Sequence, residues 1–219
     1  MTFHLERDLE NLRRELLDMG ALVETAVNKA VVALTQRRQA LAEEVELGDA
    51  AVDLKELDVE HECSRILALH RPVASDLRFV VACLKVNNDL ERVGDLAVNI
   101  AERVRALVAA APFAIPTELE ELAERARQML RRSLDAFVSQ DTELARQVRD
   151  EDDVADELNR RMFETMQARM KAEPDLIERA LHVLSSSRNL ERIADLATNI
   201  CEEVVFLVDG EVIRHRRGG

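Results

Sequence analysis

Residues 87–104 read NNDLERVGDLAVNIAERV, and residues 187–204 read SRNLERIADLATNICEEV. With the second stretch placed 100 residues after the first, the two agree at ten of eighteen positions. Agreement of this length at a fixed spacing indicates an internal duplication. The chain is therefore predicted to consist of two related halves.

Both copies have the periodicity of an amphipathic helix. At about 100° per residue, their leucine, isoleucine, valine and alanine positions collect on one side. The opposite side carries the same acids and amide in each copy: Glu91, Asp95, Asn99 and Glu102, then Glu191, Asp195, Asn199 and Glu202. Like charges four residues apart on a helix repel by roughly 0.2–0.5 kcal/mol per pair. A bound cation, flanking arginines or hydration must compensate for this repulsion.

The composition favours long helices around a sizeable core. Of the 219 residues, 47% are hydrophobic but only 3% are aromatic, an aliphatic bias that suits packed helices. Six glycines and four prolines leave few positions at which a helix must end. We therefore predict an all-α fold.

The breakers and caps divide each half in the same way. In the first half we expect helices at about 4–37, 50–70 and 73–109, with a short helical piece at 38–47 ending at Gly48. In the second half the corresponding segments are 117–138, 152–172 and 174–208, with a short piece at 141–149. Short turns between three helices predict an antiparallel bundle. The prediction is two such three-helix bundles side by side, at residues 1–110 and 111–219, joined by the linker AAAPFAIPT (109–117).

The duplication extends backwards at a shifted spacing. Residues 40–53 match residues 143–156 at a spacing of 103 rather than 100. The second half is therefore expected to have lost three residues near Pro174.

Charge and hydropathy exclude several classes of function. A net charge of −13 disfavours nucleic acids and anionic membrane surfaces, and without Trp or Tyr there is no obvious platform for stacking bases. The N-terminus lacks the order of a signal peptide, and no apolar run approaches the roughly 20 residues that cross a bilayer. Cys63, Cys83 and Cys201 form no CxxC pair and are predicted to be reduced core thiols. We expect a cytoplasmic protein that neither binds nucleic acid nor inserts into membranes.

Each half carries two acidic pairs spaced by four, on two different predicted helices. This spacing places both carboxylates of a pair on one helix face, so antiparallel neighbours could bring four carboxylates to one groove. Such oxygen ligands suit Mg²⁺, Mn²⁺, Ca²⁺ or ferric iron better than zinc or copper. The candidate metal ligands are Asp49, Asp53, Glu91 and Asp95, then Asp152, Asp156, Glu191 and Asp195. In a chain with 43 acidic residues, a solvated acidic face is the alternative interpretation.

The sequence offers little support for an enzyme. A di-iron bundle would need Glu-x-x-His motifs, but Gly94 and Ala194 stand three residues after Glu91 and Glu191. There is no phosphate-binding loop of the GxxxxGK[ST] type and no nucleophile elbow. The serines at 185–187 are interpreted as a small-residue packing seam rather than as nucleophiles. We expect a protein without catalytic activity.

Four segments resemble the PhoU family, accessory proteins of bacterial phosphate-specific transport: RPVASDLR (71–78), LERVGDLAVNIAE (90–102), LERIADLATNICE (190–202) and VVFLVDGE (204–211). The resemblance covers essentially the whole chain and implies two three-helix bundles side by side, usually as a homodimer. It also implies a negative regulator of the phosphate regulon. Such a protein would couple the transporter's ATPase subunit to a membrane sensor histidine kinase, and would restrain uptake when phosphate is plentiful.

The resemblance also bears on the acidic stripes. Some relatives bind iron or other metals on the bundle surface through an E/D-x-x-x-D motif, which falls here on Glu91, Asp95, Glu191 and Asp195. Iron, Mn²⁺, Mg²⁺ or another hard cation is therefore the expected cofactor, if any is bound. Because Asp89 and Asn189 differ between otherwise matching motifs, the two sites are expected to differ in charge and occupancy. A cation-buffering or metal-storage protein without a signalling role is the alternative function.

Overall fold

The structure is a computed structural model that describes residues 3–112 and 114–210, and the regular elements within these ranges are all helical. Its α-helices are α1 (Phe3–Gln36), α2 (Gln39–His70), α3 (Ala74–Ala109), α4 (Thr117–Ser139), α5 (Thr142–Asp150), α6 (Asp152–Ala172) and α7 (Ile177–Asp209). A single 3₁₀ turn, Pro174–Leu176, precedes α7. The predicted all-α, internally duplicated fold is confirmed. No helix in the described ranges has both the length and the apolar character needed to cross a bilayer.

The first half is a bundle of α1, α2 and α3, in which short connections make successive helices antiparallel. Arg71 adopts a left-handed conformation (φ 47°) as it ends α2. The Arg37 guanidinium at the end of α1 donates to the carbonyl oxygens of Leu107 and Ala110, which ties the connection to the end of α3. In the second half, α4, α6 and α7 occupy the corresponding positions.

The helices that carry the two copies of the repeat, α3 and α7, pack along each other in opposite directions. Lys85, near the start of α3, donates to both carboxylate oxygens of Glu203 near the end of α7, at 3.2 and 3.0 Å. The rings of Phe79 on α3 and Phe137 on α4 stack with their centroids 6.4 Å apart. The two halves therefore meet through buried contacts.

The structure corrects the predicted break at Gly48. Helix α2 runs through this residue without interruption, and the only described glycine with a positive φ is Gly210. A glycine inside a helix costs roughly 0.8–1.0 kcal/mol relative to alanine. Val45 and Val52 on either side are almost fully buried, and burying each contributes more than that. Packing therefore keeps the helix continuous.

The second half does break at the predicted place, between α5 and α6. Glu151 separates the two helices, and its carboxylate accepts hydrogen bonds from Arg125 at 3.0 Å and from Arg132. Asp141 caps α5 by accepting from the backbone N–H groups of Glu143 and Leu144, both at 3.0 Å.

Equivalent contacts confirm how the repeats align. The Asn87 side chain donates to the carbonyl oxygen of Glu56 at 3.1 Å, and the Ser187 hydroxyl donates to the Asn159 side chain at 2.7 Å. Position 56 thus corresponds to 159, and 87 to 187, as spacings of 103 and 100 require. Three residues separate α2 from α3, whereas Glu173 alone separates α6 from the 3₁₀ turn. The predicted loss of three residues lies at this turn.

The cysteines and the serine run are part of the core. All three thiols are free and buried, and burial raises the pKa of Cys63 and of Cys201 to about 12 and that of Cys83 well above its ordinary value. Ser186 and Ser187 have no exposed surface. Both predictions, core thiols and a small-residue packing seam, are confirmed.

Helices α2 and α3 are in close contact at Gly94. A Cβ atom added there would lie 3.2 Å from Cγ1 of Val52, which is tighter than an ordinary van der Waals contact. In the second repeat the corresponding residues are Ala194 and Ala155, both fully buried. Glycine thus faces valine in the first repeat, whereas alanine faces alanine in the second.

This complementarity predicts that Gly94→Ala and Val52→Ala are coupled. Gly94→Ala should be more favourable by roughly 1 kcal/mol in the Val52→Ala background than in the wild type, because the shortened side chain makes room for the new methyl group. Urea unfolding of the four proteins measures the coupling. Gly48→Ala is the control: its Cβ would meet nothing within 4 Å, so it should stabilise both backgrounds equally, by roughly 0.8–1.0 kcal/mol. Strict additivity at Gly94 would contradict the prediction.

Candidate functional site

The eight candidate ligands lie along two grooves, one between α2 and α3 and the other between α6 and α7. All of them are exposed or half-buried, whereas the neighbouring Leu90, Ile100, Leu190 and Ile200 are buried. The acidic stripes therefore face away from the core, as the helical periodicity predicts. Whether they hold a metal ion stays a prediction.

In the second repeat, three carboxylates converge. Asp156 on α6 and Glu191 and Asp195 on α7 each place an oxygen within 4.8 Å of the others. In the described part of the chain, no other set of three His, Cys, Asp or Glu ligand atoms meets this distance. We call these three residues the carboxylate triad.

The triad is electrostatically strained in the absence of a cation. Burial, followed by the charges of Asp195 and Asp156, raises the pKa of Glu191, and the nearby Arg188 only partly opposes this. Burial and the charge of Asp156 likewise raise the pKa of Asp195, against the effect of Arg192. In each case the cause is the same: a negative charge is held out of water and next to another one.

The geometry of the triad fits a hard cation. Oxygen ligands at about 2.0–2.6 Å from Mg²⁺, Mn²⁺ or Ca²⁺ lie roughly 3–5 Å from one another, and the triad oxygens are within that range. Its ligands are oxygens only, which disfavours zinc and copper. A positive ion would also remove the repulsion that raises the two pKa values.

The first repeat arranges its acids differently. Burial and the charges of Asp53 and Asp95 raise the pKa of Asp49. Burial, Asp95, Glu56 and Asp53 raise the pKa of Glu91, which Arg92 opposes. The charges of these acids interact with one another. The described residues of this repeat, however, include no three ligand oxygens as close as those of the triad.

Glu56 is the member of the first cluster that the sequence analysis missed. Its pKa is raised by burial and then by the charges of Glu60, Asp53 and Asp95. The spacing of Asp49, Asp53 and Glu56, at fours and threes, places it on the same face of α2 and could have revealed it. The search for repeated pairs passed over it because the second repeat has Asn159 at that position.

The rest of the second stripe lies beside a different feature of the surface. Asn199 and Glu202 of α7 instead line an open cleft of about 570 Å³ between α3 and α7, together with Lys85, Asn88, Asp89 and Arg92. The Asp89 carboxylate is 3.4 Å from the Arg92 guanidinium. Asp89 therefore adds its charge to this cleft and not to the acidic cluster of the first repeat. The two clusters differ in charge at another position, where the first repeat has Glu56 and the second has Asn159.

The raised pKa of Glu191 predicts how the stability of the folded protein depends on pH when a chelator keeps metal ions off the triad. Above the ordinary glutamate pKa of 4.5, the folded state holds more protons than the unfolded state, so the wild type loses stability as the pH rises through that window. Glu191→Gln should therefore be more stable than the wild type at pH 7, by roughly 0.2–0.5 kcal/mol for each like-charge pair removed. The gain should shrink towards pH 4.5.

Thermal unfolding at the two pH values tests this prediction. Glu157→Gln on α6 is the matched control: a hydrogen bond from Arg160 lowers the pKa of Glu157, so its substitution should give no gain at neutral pH. A less stable Glu191→Gln protein at pH 7 would mean that the carboxylate makes a favourable contact rather than a repulsive one.

Together, the fold and these grooves define an internally duplicated helical protein with a cluster of surface carboxylates in each repeat. Comparison with known proteins places it in a family. The family model described as "PhoU domain" matches twice, at residues 16–104 and 119–204. The chain belongs to the PhoU family.

Individual relatives agree over almost the whole chain. A protein of Aquifex aeolicus (strain VF5), named "Phosphate-specific transport system accessory protein PhoU homolog", is 38% identical over 212 residues, which cover 97% of this chain and 96% of that protein. A homolog of the same name from Pseudomonas putida is 38% identical over 221 residues, 98% of this chain and 86% of its own.

Solved structures give the same result. The crystal structure of PhoU from Pseudomonas aeruginosa superposes with a TM-score of 0.92 at 36% identity, covering 94% of this chain and 99% of that one. The phosphate transport system regulatory protein PhoU from Streptococcus pneumoniae gives 0.89 at 30% identity, over 95% and 98% of the two chains. The sequence-based assignment to this family is confirmed.

Proposed function

We propose that this protein regulates phosphate uptake and acts without catalysing a reaction. The observation that carries the proposal is its 38% identity, over 97% of the chain, to a phosphate-specific transport system accessory protein homolog. The PhoU domain matches both halves of the chain, at residues 16–104 and 119–204.

The finer part of the proposal concerns signalling. When phosphate is plentiful, the protein would couple the ATPase subunit of the phosphate transporter to a membrane sensor histidine kinase, and would hold the phosphate regulon off. A net charge of −13 and exposed carboxylates support contacts with basic faces of protein partners. We place this role in the cytoplasm and assign it to a homodimer.

Deleting the gene tests the regulatory role. Alkaline phosphatase activity in phosphate-rich medium should rise in the deletion strain, because the phosphate response is no longer restrained, and should fall again when the wild-type gene is restored. Phosphate uptake measured in the same strains separates an effect on transport from one on signalling. Unchanged phosphatase activity and unchanged uptake would overturn the proposal.

A cation is the second element of the proposal. Asp156, Glu191 and Asp195 would hold one hard cation, and the acids of the first repeat would bind more weakly because they do not converge as closely. The ion would relieve the repulsion between carboxylates and would change the charge of a surface that partners contact.

Titration of chelator-treated protein with Mn²⁺ tests this element. Glu191→Ala with Asp195→Ala should weaken the tightest binding roughly tenfold or more, because two of its three charged ligands are lost. The matched control is Glu157→Ala with Glu164→Ala, which removes the same charge from α6, where both carboxylates contact Arg160. Equal Mn²⁺ affinity in both double variants would mean that the triad is a solvated acidic face.

The same triad favours one alternative, a cation buffer without a signalling role. Convergence of three carboxylates within 4.8 Å is the observation behind it. A buffer would take up Mn²⁺ tightly and stoichiometrically, and its deletion would leave alkaline phosphatase activity unchanged. The genetic experiment therefore separates the two functions.

A further inference from the structure

The outer face of α2 carries a regular row of uncharged side chains that no other part of the described chain covers. The row follows the 3,4 spacing of a coiled-coil seam: Leu47, Ala50, Leu54, Leu57, His61 and Ser64. All six residues are exposed, and the leucines expose 83%, 65% and 57% of their surface. We call this row the α2 seam.

Helix α2 packs on its own bundle through the opposite side. Val52, Val59 and Ile66 fall at the heptad position that faces away from the seam, and they are 4%, 0% and 0% exposed. The seam is therefore held outwards by the core, and its leucines cannot turn inwards without unpacking the bundle.

The second repeat provides an internal comparison. Under the spacing of 103 that the equivalent hydrogen bonds establish, the same six positions are Asp150, Asp153, Glu157, Arg160, Glu164 and Gln167. Every one of them is exposed and polar. There, Arg160 lies 2.5 Å from both Glu157 and Glu164, a solvated arrangement of ion pairs. The fold thus tolerates charges at these positions, so the exposed leucines of α2 are not a requirement of folding.

The charges beside the seam indicate what it binds. Asp53, Asp58 and Glu60 border it and are exposed. Arg65 also borders it, but its guanidinium is engaged by Glu62 at 2.5 Å and by Asp8 at 3.0 Å. A second copy of α2 would bring acidic borders together, and an anionic membrane would be repelled for the same reason. A helix with an apolar stripe between basic residues complements both the spacing and the charge.

We infer that the α2 seam docks a basic amphipathic helix of a partner protein, with leucine-like residues at a heptad spacing and Lys or Arg on either side. Eighteen residues of α2 from Leu47 to Ser64 present the surface, which corresponds to about 27 Å of helix. Only the first repeat carries this surface, so the duplicated protein binds the partner helix on one side. The inference does not depend on the role in phosphate uptake or on a cation at the carboxylate triad.

A designed peptide and a repeat-derived variant test the inference. The probe is a fluorescent three-heptad peptide with Leu at the heptad positions that contact the seam and Lys at the flanking positions. A second peptide, with Glu in place of each Lys, is the control for charge. The variant Leu54→Glu with Leu57→Arg installs the residue types of the second repeat and leaves the net charge unchanged. The control, Leu181→Gln, removes a leucine of α7 that is 56% exposed.

Fluorescence anisotropy at physiological ionic strength should show binding of the Lys peptide to the wild type and to Leu181→Gln. Binding to Leu54→Glu with Leu57→Arg should be weaker roughly tenfold or more, because two buried leucine contacts are lost. The Glu peptide should not bind, and circular dichroism should show an unchanged helix content in every variant. Glu191→Ala with Asp195→Ala should bind the Lys peptide like the wild type, which distinguishes the seam from the carboxylate triad.

Three outcomes would overturn the inference. Equal binding of the Lys peptide to the wild type and the seam variant would mean that bulk negative charge alone attracts it. Binding of the Glu peptide would mean that the acidic residues beside the seam do not select a basic partner. If sedimentation velocity showed that Leu54→Glu with Leu57→Arg converts a dimer into a monomer, the seam would be an interface between copies of this chain.

Discussion

Burial of the apolar face of α3 and of α7 fixes the orientation of both helices, so their acidic faces must tolerate the repulsion between neighbouring carboxylates. Fully burying a leucine or isoleucine contributes roughly 1.5–3 kcal/mol, whereas two carboxylates four residues apart repel by roughly 0.2–0.5 kcal/mol. Leu190 and Ile200 are completely buried, so α7 cannot rotate to carry Glu191 and Asp195 away from Asp156 on α6. The apolar core therefore holds the acids together on the surface, and their raised pKa values are the consequence.

The duplication keeps the core alike and lets the surfaces diverge. Asn87 with Glu56 and Ser187 with Asn159 make corresponding contacts between the middle and last helices. Outside these contacts the halves differ: the second has the carboxylate triad and polar residues at the six positions that correspond to the seam, and the first has a looser acidic cluster and the α2 seam. The result is one scaffold with different chemistry on its two sides.

Much of this arrangement could be predicted from the sequence, because periodicity and duplication are encoded locally. The helix faces, the lost turn residues and the position of the acids at the surface all follow from spacing. The continuity of α2 through Gly48 could not be predicted, because the burial of Val45 and Val52 outweighs the helix propensity of one glycine. Nor could the sequence show which acids converge, since the side-chain distances depend on how closely the helices approach. Glu56 could not be predicted from the duplication for a simpler reason: the second half has Asn159 at the corresponding position.

The pairing of Gly94 with Val52, against Ala194 with Ala155, bears on how the two halves have evolved. A change from glycine to alanine in the first repeat meets a valine methyl group, so it is accepted more readily once position 52 has become smaller. The order in which substitutions are tolerated at this pair of positions therefore differs between the halves. Exchange of the last helix between the halves, by recombination of the duplicated gene segments, would bring an alanine against Val52 in one of them. The steric mismatch at this pair would disfavour such an exchange between the two halves.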